Sequence, residues 1–270
     1  MTWNAFIISL DEHKTRRAPL IEQLTTFGIP FEVLSAVDSR AGVPEKYREF
    51  VDHSGALRDL GRPMSNGEFG CALSHQLAYR QVIERGLAGA LIFEDDAVLL
   101  ADAADCLRSA FYEKYDFVQF NHGFARILRF GIGRVNECPG IATERLLANS
   151  GMTTGYSVSP KACRFIMSNS LPITIPADWP CDLMPLKPRI TCPRLVTAPV
   201  EQSGQSILMD ERNKARTGYK LPTWLLASQR RRVRNPKGVM LRWFGVFYAK
   251  TLTEKIRPRL WKRILGRLKG

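Results

Sequence analysis

The chain has 270 residues, 45% of them hydrophobic and 24% charged. That balance supports a packed core and excludes disorder along the whole length, while six cysteines are too few for a small disulfide-built scaffold. The net charge of +13 is unevenly spread: residues 1–211 carry 21 Lys and Arg against 25 acids, and residues 212–270 carry 18 against the single acid Glu254. The protein is a mildly acidic body with a strongly basic tail.

Met1-Thr2-Trp3-Asn4-Ala5-Phe6 offers neither a basic leader nor an apolar signal segment, so no secretory signal is expected. The best apolar run, Val239–Leu252, is interrupted by Arg242 and Lys250 and is too short for a membrane span. The expected location is therefore cytoplasmic. In that reducing compartment all six cysteines should be thiols, and the absence of any Cys-x-x-Cys pair excludes a zinc ribbon or a thioredoxin-like motif.

Trp3–Leu10 reads as a buried strand, followed by a helix capped by Thr15, running through Gln23–Phe27 and stopped at Gly28-Ile29-Pro30. Phe31–Val37 reads as a second strand. This β–α–β opening is that of an α/β nucleotide-binding layer, in which ligands sit beyond the carboxyl ends of the strands. Residues 40–66 look like a polar, irregular surface excursion. Ser65 is positioned to cap a helix reaching about Gly86, with Glu68 in its first turn. Ala90-Leu91-Ile92-Phe93 is a short buried strand that runs directly into Glu94-Asp95-Asp96. A helix near Ala101–Lys114 and a strand Phe117–Asn121 come next, then a weakly periodic stretch, 123–153, expected as a mobile loop or small hairpin. Gly155–Ser159 reads as a strand and Lys161–Ser168 as a helix with Pro160 in its first turn. Seven prolines in Pro172–Pro199 exclude long regular structure there. They point to a folded loop region around Asp178 and Asp182. A boundary near 212–222 is marked by the charge shift, Gly218 and Pro222.

The acidic triplet is the strongest chemical signal. Three adjacent carboxylates repel one another unless a cation is shared, and hard divalent cations take carboxylate oxygens and bridge to phosphates. Arg16-Arg17, just after the first strand, suits a diphosphate. Gly67–His75 starts a helix with small residues on one face, which lets another group approach closely. Asp178, beside Trp179 and between prolines, is a candidate general base, because partial desolvation raises a carboxylate pKa. His13, His53 and His122 do not approach metal-ligand spacing.

Taken together, these landmarks resemble glycosyltransferase family 25, the enzymes that build bacterial lipooligosaccharide. The matching pieces are Phe6–Leu10 with Arg16-Arg17, Gly67–His75, Leu91–Asp96, Thr154–Ser159, Pro176-Ala177-Asp178 and Gln202–Ile207, over about residues 3–210. The resemblance implies a GT-A-like (Rossmann-like) α/β domain over 1–211 with a mixed central sheet. Its donor half would be about 1–122 and its acceptor half about 123–211. It also implies transfer of galactose from UDP-galactose, with inversion, to an outer-core sugar of lipooligosaccharide or lipopolysaccharide; a UDP-glucose or other UDP-sugar donor is the alternative. Carried over residue by residue, Ile8, Ser9 and Leu10 would line the uridine pocket and Arg17 would touch the nucleotide. Ser74, His75, Glu94 and Asp95 would face the donor. Glu94 and Asp96 match the first and third acids of the family's metal motif and would hold a divalent metal, Mn²⁺ or Mg²⁺. Asp96 would reach the ion, and Glu94, the longer acid, would bind it directly or through water, or contact the ribose instead. Asp178 would be the base, with Asp182 in reserve, and Glu201 or Gln202 candidates for a third ligand.

The tail suggests a membrane surface. In Glu254–Gly270, Ile256, Leu260, Ile264 and Leu268 recur every four residues, with Trp261 and Leu265 beside them and seven cations on the remaining face. Val239–Leu252 adds Trp243, Phe244, Phe247 and Tyr248. A basic amphipathic helical tail over 212–270 would place the enzyme on the cytoplasmic face of the inner membrane, near a lipid-linked acceptor; the alternative is that the apolar stripe and its aromatics pack on the protein's own body. A nucleic-acid-binding protein is disfavoured, because the acidic body offers no basic groove. A nucleotidyltransferase is disfavoured too, because Ser9–Arg17 contains no glycine for a phosphate-binding loop.

Overall fold

Alternation along the first strand sets the layers. The computed structural model describes residues 2–128, 131–178 and 180–198, together with the backbone of 245–249. In β1 (Trp3–Ser9), Ala5 and Ile7 pack on one side with Leu20 and Leu24 of α1 (Lys14–Thr26). Phe6 and Ile8 pack on the other side with Ala78, Tyr79 and Val82 of α3 (Asn66–Glu84). The same alternation divides β3 (Gly89–Glu94): Leu91 and Phe93 join the first core, Ala90 and Ile92 the second. Successive side chains of a strand point to opposite faces, so a sheet with two apolar faces must be covered by helices on both.

Between these come β2 (Phe31–Ser35) and α2 (His53–Leu60). After β3 the chain forms β4 (Val98–Leu99), α4 (Ala103–Arg108), β5 (Phe117–Gln119), β6 (Phe124–Leu128), β7 (Val135–Cys138) and β8 (Ile141–Arg145). The described chain continues with β9 (Gly155–Val158), α5 (Pro160–Ser170), β10 (Arg189–Cys192), β11 (Val196–Thr197) and β12 (Gly245–Ala249). Eight strands form the central sheet in the order β2-β1-β3-β9-β5-β10-β8-β7. β1 is parallel to both β2 and β3, while β9 runs antiparallel between β3 and β5. This is the mixed-sheet α/β architecture expected from the sequence. The reversal at β9 brings the start of that strand beside the end of β3.

Several local expectations need correction. Thr15 lies inside α1, whose N-cap is His13 with no side-chain cap bond. The stretch 40–66 is not merely irregular: α2 is capped by Asp52, which accepts from the Gly55 N–H, and it ends at Gly61 with φ 69°. The helix expected near Ala101–Lys114 is split, because Ala110 turns to φ 54° between α4 and a 3₁₀ turn at Phe111–Lys114. Residues 123–153 hold three strands, two of which extend the sheet as a hairpin. The proline-rich region supplies β10, a strand inside the sheet between β5 and β8.

Two further corrections concern chemistry. Cys106 and Cys138 are joined in a disulfide, where six thiols were expected. The two lie 32 residues apart and meet because the chain folds α4 against β7. Spacing along the sequence carries no sign of such a pairing. In the tail, Gly245–Ala249 is a strand paired antiparallel with β6, from Gly245–Leu128 to Ala249–Phe124, so this part of the expected helical tail is β structure joined to the body. The amphipathic stretch 254–270, Gln202–Ile207, Glu201 and Trp179 lie outside the described residues.

Candidate active site

Three strand ends and the first half of α3 enclose a cavity of about 420 Å³. Ser9 ends β1 opposite Ser35 of β2, and Glu94 ends β3 opposite Ile8. Thr153 and Thr154 lead into β9, whose Gly155 pairs with Phe93. Ala36–Arg40 leave β2 at the same edge and line the cavity with them.

The helix comes close because Gly70 permits it. A Cβ there would stand 2.2 Å from Ser39 Oγ and 2.7 Å from the Val37 carbonyl oxygen. Ser74 Oγ accepts from the Val37 N–H (2.8 Å) and donates to the Gly70 carbonyl (2.6 Å), tying the exit of β2 to the helix. Ser65 and Glu68 form a reciprocal capping box that fixes the start of α3. Arg62 holds the buried Glu68 carboxylate through two bonds of 2.8 and 2.7 Å.

The acidic triplet is divided by its partners, with Glu94 ending β3 and Asp95 and Asp96 in the turn that follows. Asp95 is satisfied by protein: Ser9 Oγ donates to it (3.2 Å), Arg16 Nε lies 3.1 Å away and His13 Nδ1 3.4 Å away. Asp96 meets Arg16 Nη2 at 2.7 Å through Oδ2, while its Oδ1 is buried without a hydrogen-bond partner. Burial, then the negative charge of Glu94, pushes the Asp96 carboxyl above its ordinary value against the pull of Arg16. An orphaned carboxylate oxygen in such a place fits a hard divalent cation, which would supply the missing positive charge.

Glu94 faces the α3 side of the sheet, in step with Ile92, and meets His75 there. Thr153 Oγ1 donates to Glu94 Oε1 (2.5 Å), and His75 Nε2 stands 3.5 Å from the same oxygen. The other ring nitrogen, Nδ1, shares a 2.6 Å hydrogen bond with Tyr156 Oη, which lies 2.8 Å from Tyr79 Oη. Tyr156 pairs with Ile92 across the β3–β9 ladder, so parity puts the whole chain of polar groups on one face. Burial would raise the Glu94 carboxyl, but His75, Thr153 and the Arg16 charge outweigh it and hold the group below its ordinary value.

The structure gathers Ile8, Ser9, Leu10, Ser74, His75, Glu94, Asp95, Asp96 and Asp178 around this one cavity. Asp178 Oδ1 accepts from the N–H of Met152, a non-glycine residue held at φ 86° on the cavity wall. Two candidates fall elsewhere. Arg17 turns away from the cavity lining and donates to Ser9 Oγ, the Leu10 carbonyl and the Asp11 carbonyl, while Arg16 takes the place expected of it. Asp182 is not in the lining; it accepts from the Met184 N–H in a turn. Sequence reasoning passed over His13, Arg40, Cys71 and Thr153, all of which line the cavity. Only Cys71 carried a signal, standing four residues before His75 and therefore on the same helix face.

Comparison with known proteins shows what the chain is similar to. The family model described as glycosyltransferase family 25 (LPS biosynthesis protein) matches residues 2–181. The chain is 28% identical over 186 residues to the lacto-N-neotetraose biosynthesis glycosyltransferase LgtB of Neisseria meningitidis serogroup B; the match covers 66% of each chain. Human procollagen galactosyltransferase 2 is 33% identical over 94 residues, covering 34% of this chain and 15% of that protein. The human protein named inactive glycosyltransferase 25 family member 3 is 34% identical over 104 residues, covering 34% and 16%. The chain thus spans just under two thirds of the LgtB relative and about a sixth of the animal ones.

Proposed function

We propose that this chain, which belongs to glycosyltransferase family 25, transfers a hexose from a UDP-sugar to the core oligosaccharide of a lipooligosaccharide or lipopolysaccharide. Galactose from UDP-galactose is the preferred donor, with UDP-glucose the nearest alternative. The observation that carries the reading is Asp96 Oδ1, buried and without a hydrogen-bond partner, in the same cavity as Ser9, Arg16 and Asp178. Because some family relatives are named inactive, the activity of this chain rests on its own carboxylates and not on kinship.

Glu94 and Asp96 would hold the divalent cation, which supplies positive charge to the diphosphate as UDP departs. The chain's own residues do the rest. Ile8, Ser9 and Leu10 form the wall at the end of β1 where the nucleoside is bound. Arg16, already between two carboxylates, is placed to give its guanidinium to a phosphate. Asp178 takes the proton of the acceptor hydroxyl as its oxygen attacks the anomeric carbon on the face opposite UDP, which inverts that centre. The basic tail binds anionic lipid on the cytoplasmic face of the inner membrane and brings the site to a lipid-linked acceptor.

The test is a panel of UDP-sugars, each offered with truncated core oligosaccharide and Mn²⁺, with release of UDP and the mass of the product recorded. A product one hexose heavier, formed fastest from UDP-galactose, is expected. No UDP release above the protein-free rate with any donor overturns the proposal.

A further inference from the structure

We propose that Cys71, His75 and Glu94 form a second cation site, for a borderline-soft ion of the Zn²⁺ class, that shares Glu94 with the hard-cation site at the acidic triplet. Cys71 and His75 stand four residues apart on α3 and so project from one face of the helix. Glu94 reaches the same place from the end of β3. A sulfur, a ring nitrogen and a carboxylate oxygen from these three all lie within 4.8 Å of one another.

The histidine is the independent observation. His75 is 2% exposed, and its Nε2 makes no hydrogen bond. Its Nδ1 is held at 2.6 Å by Tyr156 Oη, which is itself 2.8 Å from Tyr79 Oη. A ring anchored through Nδ1, with Nε2 3.5 Å from the Glu94 carboxylate, is held as metal-ligating histidines are, by a hydrogen bond at the nitrogen that does not bind. Thr153 donates to Glu94 Oε1 and orients the carboxylate in the same way.

Ligand chemistry separates this site from its neighbour. Asp96 offers oxygen alone, which suits Mg²⁺ or Mn²⁺, whereas thiolate with imidazole favours Zn²⁺ over both. Three protein ligands leave a fourth tetrahedral position, and all three residues line the cavity, so that position is available to water or a substrate oxygen. Binding converts the Cys71 thiol to thiolate and releases its proton to solvent. Because Glu94 serves both sites, Zn²⁺ on the soft site withdraws it from the cation that meets the diphosphate. Zn²⁺ is therefore expected to inhibit transfer.

Co²⁺ serves as the visible probe for Zn²⁺, added to the full chain with each variant's far-ultraviolet circular dichroism as the fold control. One Co²⁺ per chain with a near-ultraviolet thiolate-to-metal band is expected. The band should disappear in Cys71→Ser and His75→Ala and persist in Asp96→Asn. A second measurement needs no variant: in the wild-type chain Zn²⁺, unlike Mg²⁺, should slow alkylation of Cys71 at least tenfold, read by mass spectrometry. Cys181, whose thiol burial pushes up to about 11, is the internal comparison and should not change. No thiolate band, a band that survives Cys71→Ser or is lost in Asp96→Asn, or equal alkylation with and without Zn²⁺ would overturn the site. The site rests on the proposed transfer only through the shared Glu94: release of UDP without a thiolate band would overturn the soft site alone, and a thiolate band without release of UDP would overturn the transfer alone.

Discussion

Two carboxylates at the cavity do different work because their neighbours differ. Asp95 is filled by Ser9, His13 and Arg16 and serves to hold the loop after β3 in place. Asp178 comes from the proline-rich wall, bonded to the backbone of Met152, and not from the β1 and β3 strand ends that would hold the nucleotide. Replacing it by Asn keeps the shape and removes the proton acceptor. Asp178→Asn is therefore expected to lower kcat by about 10²–10⁴-fold with little change in the affinity for UDP. Steady-state rates and calorimetric titration with UDP check the two halves separately, and loss of UDP affinity as the main effect would assign Asp178 to binding.

At the scale of elements, the site depends on how closely α3 approaches the end of β2. Gly70→Ala places a methyl group against Ser39 Oγ and the Val37 carbonyl, so helix and strand must separate. A cost of about 1–3 kcal/mol is expected, measured by urea unfolding, with weaker UDP binding because Ser74 and His75 move with the helix. The elements legible in the sequence were those with strong local signals: the apolar run of β1, the four-residue approach to Glu94, and the Ser65/Glu68 cap. Those that were not legible depend on distant partners. β10 reads as proline-rich loop, and Ile190 and Cys192 are buried only because β8 and β5 lie on either side of it. α2 is a short helix whose apolar residues acquire meaning only from the cluster around Phe69 and Ile173. The choice of Arg16 over Arg17 turns on about 100° of helix rotation, which adjacent identical residues do not reveal.

At the scale of the whole molecule, charge is divided between an acidic body that holds the site and a basic tail. Pairing of Gly245–Ala249 with β6 anchors part of that tail to the body, so a truncation should begin after Ala249. A chain ending there keeps this strand and loses the amphipathic stretch with its seven cations. The full chain should co-sediment with anionic vesicles, release most of them at high salt and ignore neutral ones; the shortened chain should lose most of this binding. Equal binding by the two chains would move the membrane contact elsewhere. Among the described residues no helix is long and apolar enough to cross a membrane.

The proposed chemistry turns on Asp96 bringing a divalent cation to the diphosphate of a UDP-sugar. This role is measured by calorimetric titration of UDP-galactose into the wild-type chain and into Asp96→Asn, each with and without Mn²⁺. Mn²⁺ should tighten binding to the wild type at least tenfold and leave Asp96→Asn unchanged, with both proteins showing the same far-ultraviolet spectrum. Equal tightening in the two proteins, or no effect of Mn²⁺ on the wild type, would refute the role given to Asp96.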